Sequence, residues 1–371
     1  MEFGILIHGY CPRAPHDNAR EHDWVRREVE LVTEADRYGF KYAWLTEHHF
    51  LEEYSHLSAS EVFIPYLGAL TKQIHIGSGI FNLNPQVNHP ARLAERVAML
   101  DHLMDRRFEF GTGRGAGAYE IGGFGISDTD GTKLVWDEVI RELPRMWAET
   151  DYAHEGAAFS MPPRNILPKP YGNAHPPLWV AAGNVATYEK AALMGLGVLG
   201  FNIANCEAMR EPVQAYKQAI KEARPVGAFV HDNVMVASRM LIDESSERAR
   251  QLATRIGISY LDSQIYRYHS TFPKPDEWPS WPEVAPEPTL SDIEDRIDQG
   301  FMLCGNVAEV TEQIESYIDL GCDQVVFGLP FEIPHEDALN TIRLFGEKVL
   351  PRFDTDPVHR STRCREGTLT Q

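Results

Sequence analysis

The chain has 371 residues, 43% of them hydrophobic, and a formal net charge of −19. That length is within reach of one barrel-sized domain with insertions, and the apolar share is ample for a large core. So acidic a surface repels phosphate backbones and anionic lipid, which argues against nucleic acid and membrane surfaces as partners, and no apolar run approaches the ~20 residues that span a bilayer.

The N-terminal stretch MEFGILIHGY carries no basic segment before its short apolar run, so it reads as a strand and not as a signal peptide. The cysteines, Cys11, Cys206, Cys304, Cys322 and Cys364, are scattered, odd in number and free of any CxxC. That pattern suits reduced thiols in a cytoplasmic protein and speaks against a zinc site.

Short β-branched runs alternate with amphipathic helical stretches. Phe3–His8 reads as the first strand. A helix follows over Asp23–Tyr38, with Val25, Val29, Leu31, Val32 and Ala35 as its apolar stripe and Gly39 as its stop. Tyr42–Leu45 is the second strand, Ala59–Leu70 a helix, Ile74–Phe81 a strand, Pro90–Met104 a helix and Arg107–Thr112 a strand. Thr132–Ala148 is helical, and Tyr152–Phe159 reads as a short hairpin ornament. Leu178–Ala182, Gly197–Ile203, Asn233–Met240 and Gln324–Gly328 are further strands. Helices fall at Ala186–Met194, Glu207–Ala223, Glu244–Ile258 and Val307–Leu320, the last closed by Gly321. This alternation implies parallel strands joined by right-handed crossovers. About eight such units suit a closed α/β barrel better than an open doubly wound sheet, and either would place a site at the carboxyl ends of the strands.

One segment breaks the rhythm. Tyr266–Pro288 is dense in proline and aromatics, inside an insertion over about residues 263–300 of a single domain spanning 1–353. Its aromatic content argues against simple disorder and leaves two readings open, a substrate-facing lid or an oligomer contact. Residues 354–371 are polar and read as a loose tail or a dimer arm.

The sharpest chemical feature is Thr46–Glu47–His48–His49–Phe50, just past the second strand. His48 there is placed to act as a general base or proton donor; the competing reading is a histidine that only hydrogen-bonds the backbone. Adjacent histidines in extended chain point to opposite sides, so the pair does not share a metal, although His89 leaves a His–carboxylate site open. The run FGTGRGAG from Phe110 to Gly117 pairs close-approach glycines with Arg114, as a phosphate site would, or else makes tight turns; it lacks the dinucleotide fingerprint. Ala181–Thr187 leads from a strand into a helix start that can take an anion or be plainly capped by Asn184. The small residues Gly77–Ser78–Gly79 before Ile80 let a flat ligand lie on the backbone, or serve barrel packing. His8 and Tyr10 close the first strand and can face the same cleft.

WLTEHHF, GSGI, HPARLAERVAMLD, RFEFGTGRG, PLWVAAGNVATYEKAALMG and CGNVAEVTEQIESYIDLGCDQVVFG, in that order, resemble the motifs of the bacterial luciferase-like superfamily across nearly the whole chain. The resemblance implies a (β/α)8 TIM barrel that binds reduced FMN at its carboxyl rim. His48 matches the family's acid–base histidine. Ser78, Gly79 and Ile80 match the strand behind the flavin ring, where a cis Gly79–Ile80 bond is expected. Arg114, with Gly115 beside it, matches the phosphate-binding arginine, and Gly183, Asn184 and Thr187 match the segment around the ribityl phosphate. Gly113 stands where luciferases carry a reactive cysteine, which implies more room above the ring and no light emission; Gly183 replaces a carboxylate. The implied protein is a cytoplasmic, homodimeric FMNH2- and O2-dependent monooxygenase acting on a small organic substrate. A separate flavin reductase supplies its reduced flavin, and no metal takes part. The alternatives within the superfamily are a deazaflavin-dependent dehydrogenase or reductase and a non-catalytic flavin-binding subunit.

Overall fold

A computed structural model describes residues 1–12, 17–115, 117–202, 205–256, 258–269, 274 and 276–369. Eight parallel strands close on themselves: β1 (Glu2–Ile7), β2 (Tyr42–Leu45), β3 (His75–Ser78), β4 (Phe108–Gly113), β5 (Leu178–Ala181), β6 (Gly197–Phe201), β7 (Val234–Ile242) and β8 (Gln324–Gly328). Each pairs with the next, and β8 returns to β1 with Gly4 opposite Val326. The ring is a TIM barrel, and its eight strands are those read from the sequence.

Three details depart from that reading. The third strand is broken: His75–Ser78 gives way to a short pairing at Phe81–Asn82, with the cis bond Gly79–Ile80 between them. A ninth strand, Met302–Gly305, pairs beyond the ring with the end of β7. In the first helix, Asn18–Arg37, the expected stripe residues Val29, Leu31, Val32 and Ala35 are buried, but Val25 is exposed and Trp24 takes its place in the core. Gly39 does end that helix region with φ +85°. The hairpin is present as Tyr152–Glu155 against Ser160–Arg164.

Inside the ring, Leu6, Tyr42, Trp44, Trp179, Leu199, Met235, Ala237 and Val326 form one apolar layer. Trp44 and Trp179 meet edge to face with centroids 5.0 Å apart. Small residues make this possible: a Cβ on Gly77 would sit 2.3 Å from the Trp44 ring, and one on Gly197 2.6 Å from Trp179. Gly77 therefore serves barrel packing and not a ligand. The main core lies between the ring and its helices.

The floor of the barrel is polar and covered. Among the described residues, 354–369 are no loose tail: Arg360–Glu366 is a helix docked across the amino ends of the strands. Ser361 and Arg365 are buried there, and the Arg365 guanidinium makes two 2.8 Å bonds to the fully buried Asp101 carboxylate. His359 stacks on His75 at 3.8 Å. His75 Nδ1 and Trp179 Nε1 lie 2.7 Å from the two oxygens of Glu109. Burial lifts the Glu109 carboxyl to about 7, against the pull of His231, of the Ser361 and Trp179 hydrogen bonds and of Arg365. Burial, with Arg107, Arg365 and Lys41 nearby, holds His75 down to about 3.

Two outcomes are expected. Arg365→Ala strands the Asp101 charge in the interior and lowers unfolding free energy by about 3–5 kcal/mol in urea denaturation. Folded Glu109 holds its proton more tightly than the unfolded value of 4.5, so the stability it gives is full below 4.5 and is lost as pH rises to about 7. Glu109→Gln removes that loss, and the variant is expected to gain on the parent across that pH window in parallel denaturation series; a constant difference overturns it.

Candidate active site

The mouth at the carboxyl ends of the strands is the place where a filled barrel can hold a ligand. Past β2 the chain turns over the rim at Thr46–Phe50. The Gly9 amide donates to Thr46 Oγ1 at 3.3 Å, and Ser60 donates to the buried Glu47 carboxylate at 2.6 Å, which fixes the turn. The two histidines diverge as extended chain requires. His48 Nδ1 lies 2.9 Å from Glu120 Oε2, and its ring meets His269 edge to face at 4.8 Å and Tyr54 at 5.2 Å. His49 turns to Glu47 at 3.5 Å and to the ring of Phe124 at 4.9 Å. Burial opposes charge on His49, yet the Glu47 hydrogen bond and charge, with Glu120 and Glu61 beyond, raise its pKa overall.

Glu120 stands on the short helix Ala118–Gly123 that follows the glycine-rich loop. A carboxylate at Nδ1 fixes the imidazole's tautomer and orientation, and leaves Nε2 as the nitrogen able to take or deliver a proton. The surroundings stay neutral. Burial, Arg239 and His48 hold His8 down to about 3, and burial and His48 hold His269 well below the ordinary range. Tyr54 Oη is 3.3 Å from His8 Nδ1, and burial keeps the phenol protonated.

On the neighbouring strand β3, Ser78 is wholly buried and its hydroxyl exchanges bonds with the Gly111 backbone at 2.9 and 3.0 Å. Its side chain is therefore structural. Gly79 donates to the Leu45 carbonyl at 2.7 Å, and Ile80 packs on the inner apolar layer as a ledge at the mouth. The room expected over Gly113 is taken: a Cβ there would lie 2.7 Å from the Ile80 side chain. Gly115 has φ +94°, and a Cβ on it would strike Ile121 at 2.5 Å, so the loop needs glycine at this point.

Arg114 Nη1 donates to the Thr129 carbonyl at 3.2 Å and to Thr132 Oγ1 at 3.1 Å, which aims the guanidinium along the rim; its Nη2 and Nε make no bond among the described residues. Asn184 caps the helix Val185–Leu193, its Oδ1 accepting from the Thr187 amide and hydroxyl at 3.0 and 3.1 Å. Gly183 is exposed with open space where a side chain would be. Because β4 and β5 are neighbours, Arg114 and the Gly183–Thr187 turn leave adjacent strands at the same end. A flat, apolar ring with an anionic tail fits this set: the Ile80 ledge for the ring, Arg114 and a helix amino end for the tail.

His89 does not join the site. Its Nδ1 accepts from the Ala91 amide at 3.3 Å as a helix cap, and its ring faces Phe159. Among the described residues no group of three or more His, Cys, Asp or Glu side chains is placed to hold a metal ion, and no helix is long and apolar enough to cross a membrane. All five cysteines are buried and unpaired. Sequence reasoning missed Glu120, Tyr54, His269 and Arg239; a carboxylate just past the glycine loop was the one local signal for Glu120.

The sequence profile of the luciferase-like monooxygenases matches residues 1–324, and the chain belongs to that family. It is an oxidoreductase. It is 25% identical over 364 residues to the alkanal monooxygenase alpha chain of the Kryptophanaron alfredi symbiont, covering 95% of this chain and 98% of that one. The fold matches the oxygenating constituent of 3,6-diketocamphane monooxygenase from Pseudomonas putida, solved with FMN, at TM-score 0.77 and 18% identity over 96% and 99% of the two chains. It also matches the coenzyme F420-dependent tetrahydromethanopterin reductase of Methanopyrus kandleri at TM-score 0.67 and 21% identity over 95% and 99%.

Proposed function

We propose that the chain is the oxygenase component of a two-component system in the cytoplasm, taking reduced FMN from a separate flavin reductase and oxidising a small organic substrate with O2. The observation that carries this reading is that the His48–Glu120 pair, the Ile80 ledge and Arg114 stand at the carboxyl ends of three neighbouring strands. Bound reduced FMN supplies the electrons with which dioxygen is activated. The Gly79–Ile80 backbone and the Ile80 side chain hold the ring from below. Arg114, the open backbone at Gly115 and the amides from Gly183 to Ala186 take the phosphate, with the Asn184–Thr187 cap holding that turn in shape. His48 moves a proton at Nε2, with Glu120 holding the imidazole in place. Tyr10, Leu51, Tyr54, Leu261 and Tyr268 pack together over this side and exclude water from it.

With photoreduced FMN, oxygen and a panel of ketones and aldehydes, mass spectrometry is expected to find one added oxygen atom in a product. His48→Ala abolishes that product while FMN fluorescence titration stays near parental. Arg114→Ala weakens FMN binding by about tenfold or more. Tighter binding of a reduced 8-hydroxy-5-deazaflavin than of reduced FMN overturns the oxygenase reading in favour of hydride transfer.

The protein forms a homodimer in this reading. Val62, Tyr66 and Leu70 lie exposed at i, i+4 and i+8 on the helix Ser60–Leu70, and Met99 and Leu103 at i and i+4 on the neighbouring helix Pro90–Leu103. A second copy of the same face covers such a stripe about a two-fold axis. Sedimentation velocity is expected to give twice the 42.0 kDa chain mass for the parent and the single mass for Tyr66→Glu with Leu103→Glu.

A further inference from the structure

The mouth holds cationic charge that the flavin site leaves unused. Met235, Ala237 and Arg239 alternate along β7, the first two in the inner layer, so Arg239 tops that row at the carboxyl end. Its guanidinium lies 4.5 Å from the centre of the Phe301 ring and, among the described residues, donates one hydrogen bond, from Nη2 to Asp262 on the insertion helix Ile258–Tyr268. Arg296, on the helix Leu290–Asp298, lies 5.8 Å from the same ring. Its Nη1 is buried without a partner among the described residues. Burial depresses the Arg296 pKa, with Asp262 opposing and Arg239 adding to the depression. Asp292 and Glu287 also act on Arg296, from exposed positions, and Asp292 is engaged in capping Thr289.

Two guanidinium groups thus feel one buried carboxylate, which bonds to Arg239, and among the described residues most of their donors remain unmet. Arg239 is a fifth exposed. Neutral His8 and Tyr54 both feel its charge, which places it on the His48 side of the mouth. It is not part of the phosphate cradle, because β7 stands three strands round the ring from β4, and the cradle has its own cation in Arg114.

We propose that Arg239 and Arg296 receive a carboxylate of the substrate, and that Asp262 holds that place until it arrives. The inference rests on the oxygenase reading and narrows it: the organic substrate is a small carboxylic acid, anchored by its anion with its oxidised carbon toward His48. A planar carboxylate matches the fork of donors that an arginine presents, and two arginines hold it from both sides. Asp262 supplies the same group from the protein's own chain, so binding exchanges one carboxylate for another at Arg239 and gives Arg296 the partner it lacks among the described residues.

The test uses flavin-free protein and saturation-transfer NMR with benzoate and cyclohexanecarboxylate, each beside its uncharged carboxamide. Both acids are expected to bind about tenfold more tightly than their amides. Arg239→Gln and Arg296→Gln erase that preference, Arg239→Lys keeps part of it, and Asp262→Asn strengthens acid binding by removing the competitor. Thermal melts confirm that each variant is folded. Equal binding of acids and amides, no binding of either, or weaker acid binding in Asp262→Asn overturns the proposal. FMN titration of the parent is run separately. Failure there with acid binding intact sinks the flavin reading and leaves the anion site standing.

Discussion

Two indoles crossed at the barrel axis set the terms for the rest of the molecule. Trp44 and Trp179 fill the ring at mid-height, and each is pinned by a buried acceptor, Gln324 Oε1 at 2.6 Å and Glu109 Oε2 at 2.7 Å. They fit because Gly77 and Gly197 give up their side chains to them. A close-packed interior has no room for a ligand at that level, so chemistry is confined to the mouth above. Below the indoles, buried polar groups bond to one another and to the docked helix Arg360–Glu366, as Glu109 does to His75, Trp179 and Ser361.

The mouth divides by strand. From β4 and β5 come Arg114 and the capped turn at Asn184, from the β3 region the Ile80 ledge, and from β2 the turn that carries His48. From β1 and β7 come His8 and Arg239. The insertion joins these sectors: it brings His269 to within 4.8 Å of His48 and ties itself to the β2 loop through Tyr260–Glu53 and Arg267–Glu52. Of the two roles open to the insertion from sequence, the described residues favour one that faces the site.

The sequence carried the fold through its periodicities. The eight strands and the helices Thr132–Ala148 and Val307–Leu320 are legible because alternation in burial and glycine stops are local signals. The docked helix at Arg360–Glu366 is not. Its seven residues RSTRCRE carry no apolar stripe, and it is held by charge pairs to Asp101, Asp232 and Asp323, partners distant in the chain, of which the Arg365–Asp101 pair is wholly buried. The site shows the same split. The motifs located His48 and Arg114, whereas Glu120 and His269 come together with His48 only when the loop after β4 and the insertion fold back over β2. Gly113 shows the limit of reasoning from an absent side chain, since a neighbour's side chain, here Ile80, had filled the space.

The sealed mid-level has one further consequence. Glu109, whose carboxyl burial lifts to about 7, lies at the floor, and the pair proposed to move a proton lies at the mouth, with two indoles between them. The stability that Glu109 loses as pH rises and the proposed rim chemistry are therefore governed at opposite poles. A substitution under the indoles can widen the survivable range without touching turnover, and one at the rim can retune turnover without endangering the fold. A lineage meeting a new environment can adjust either property while the other stays put.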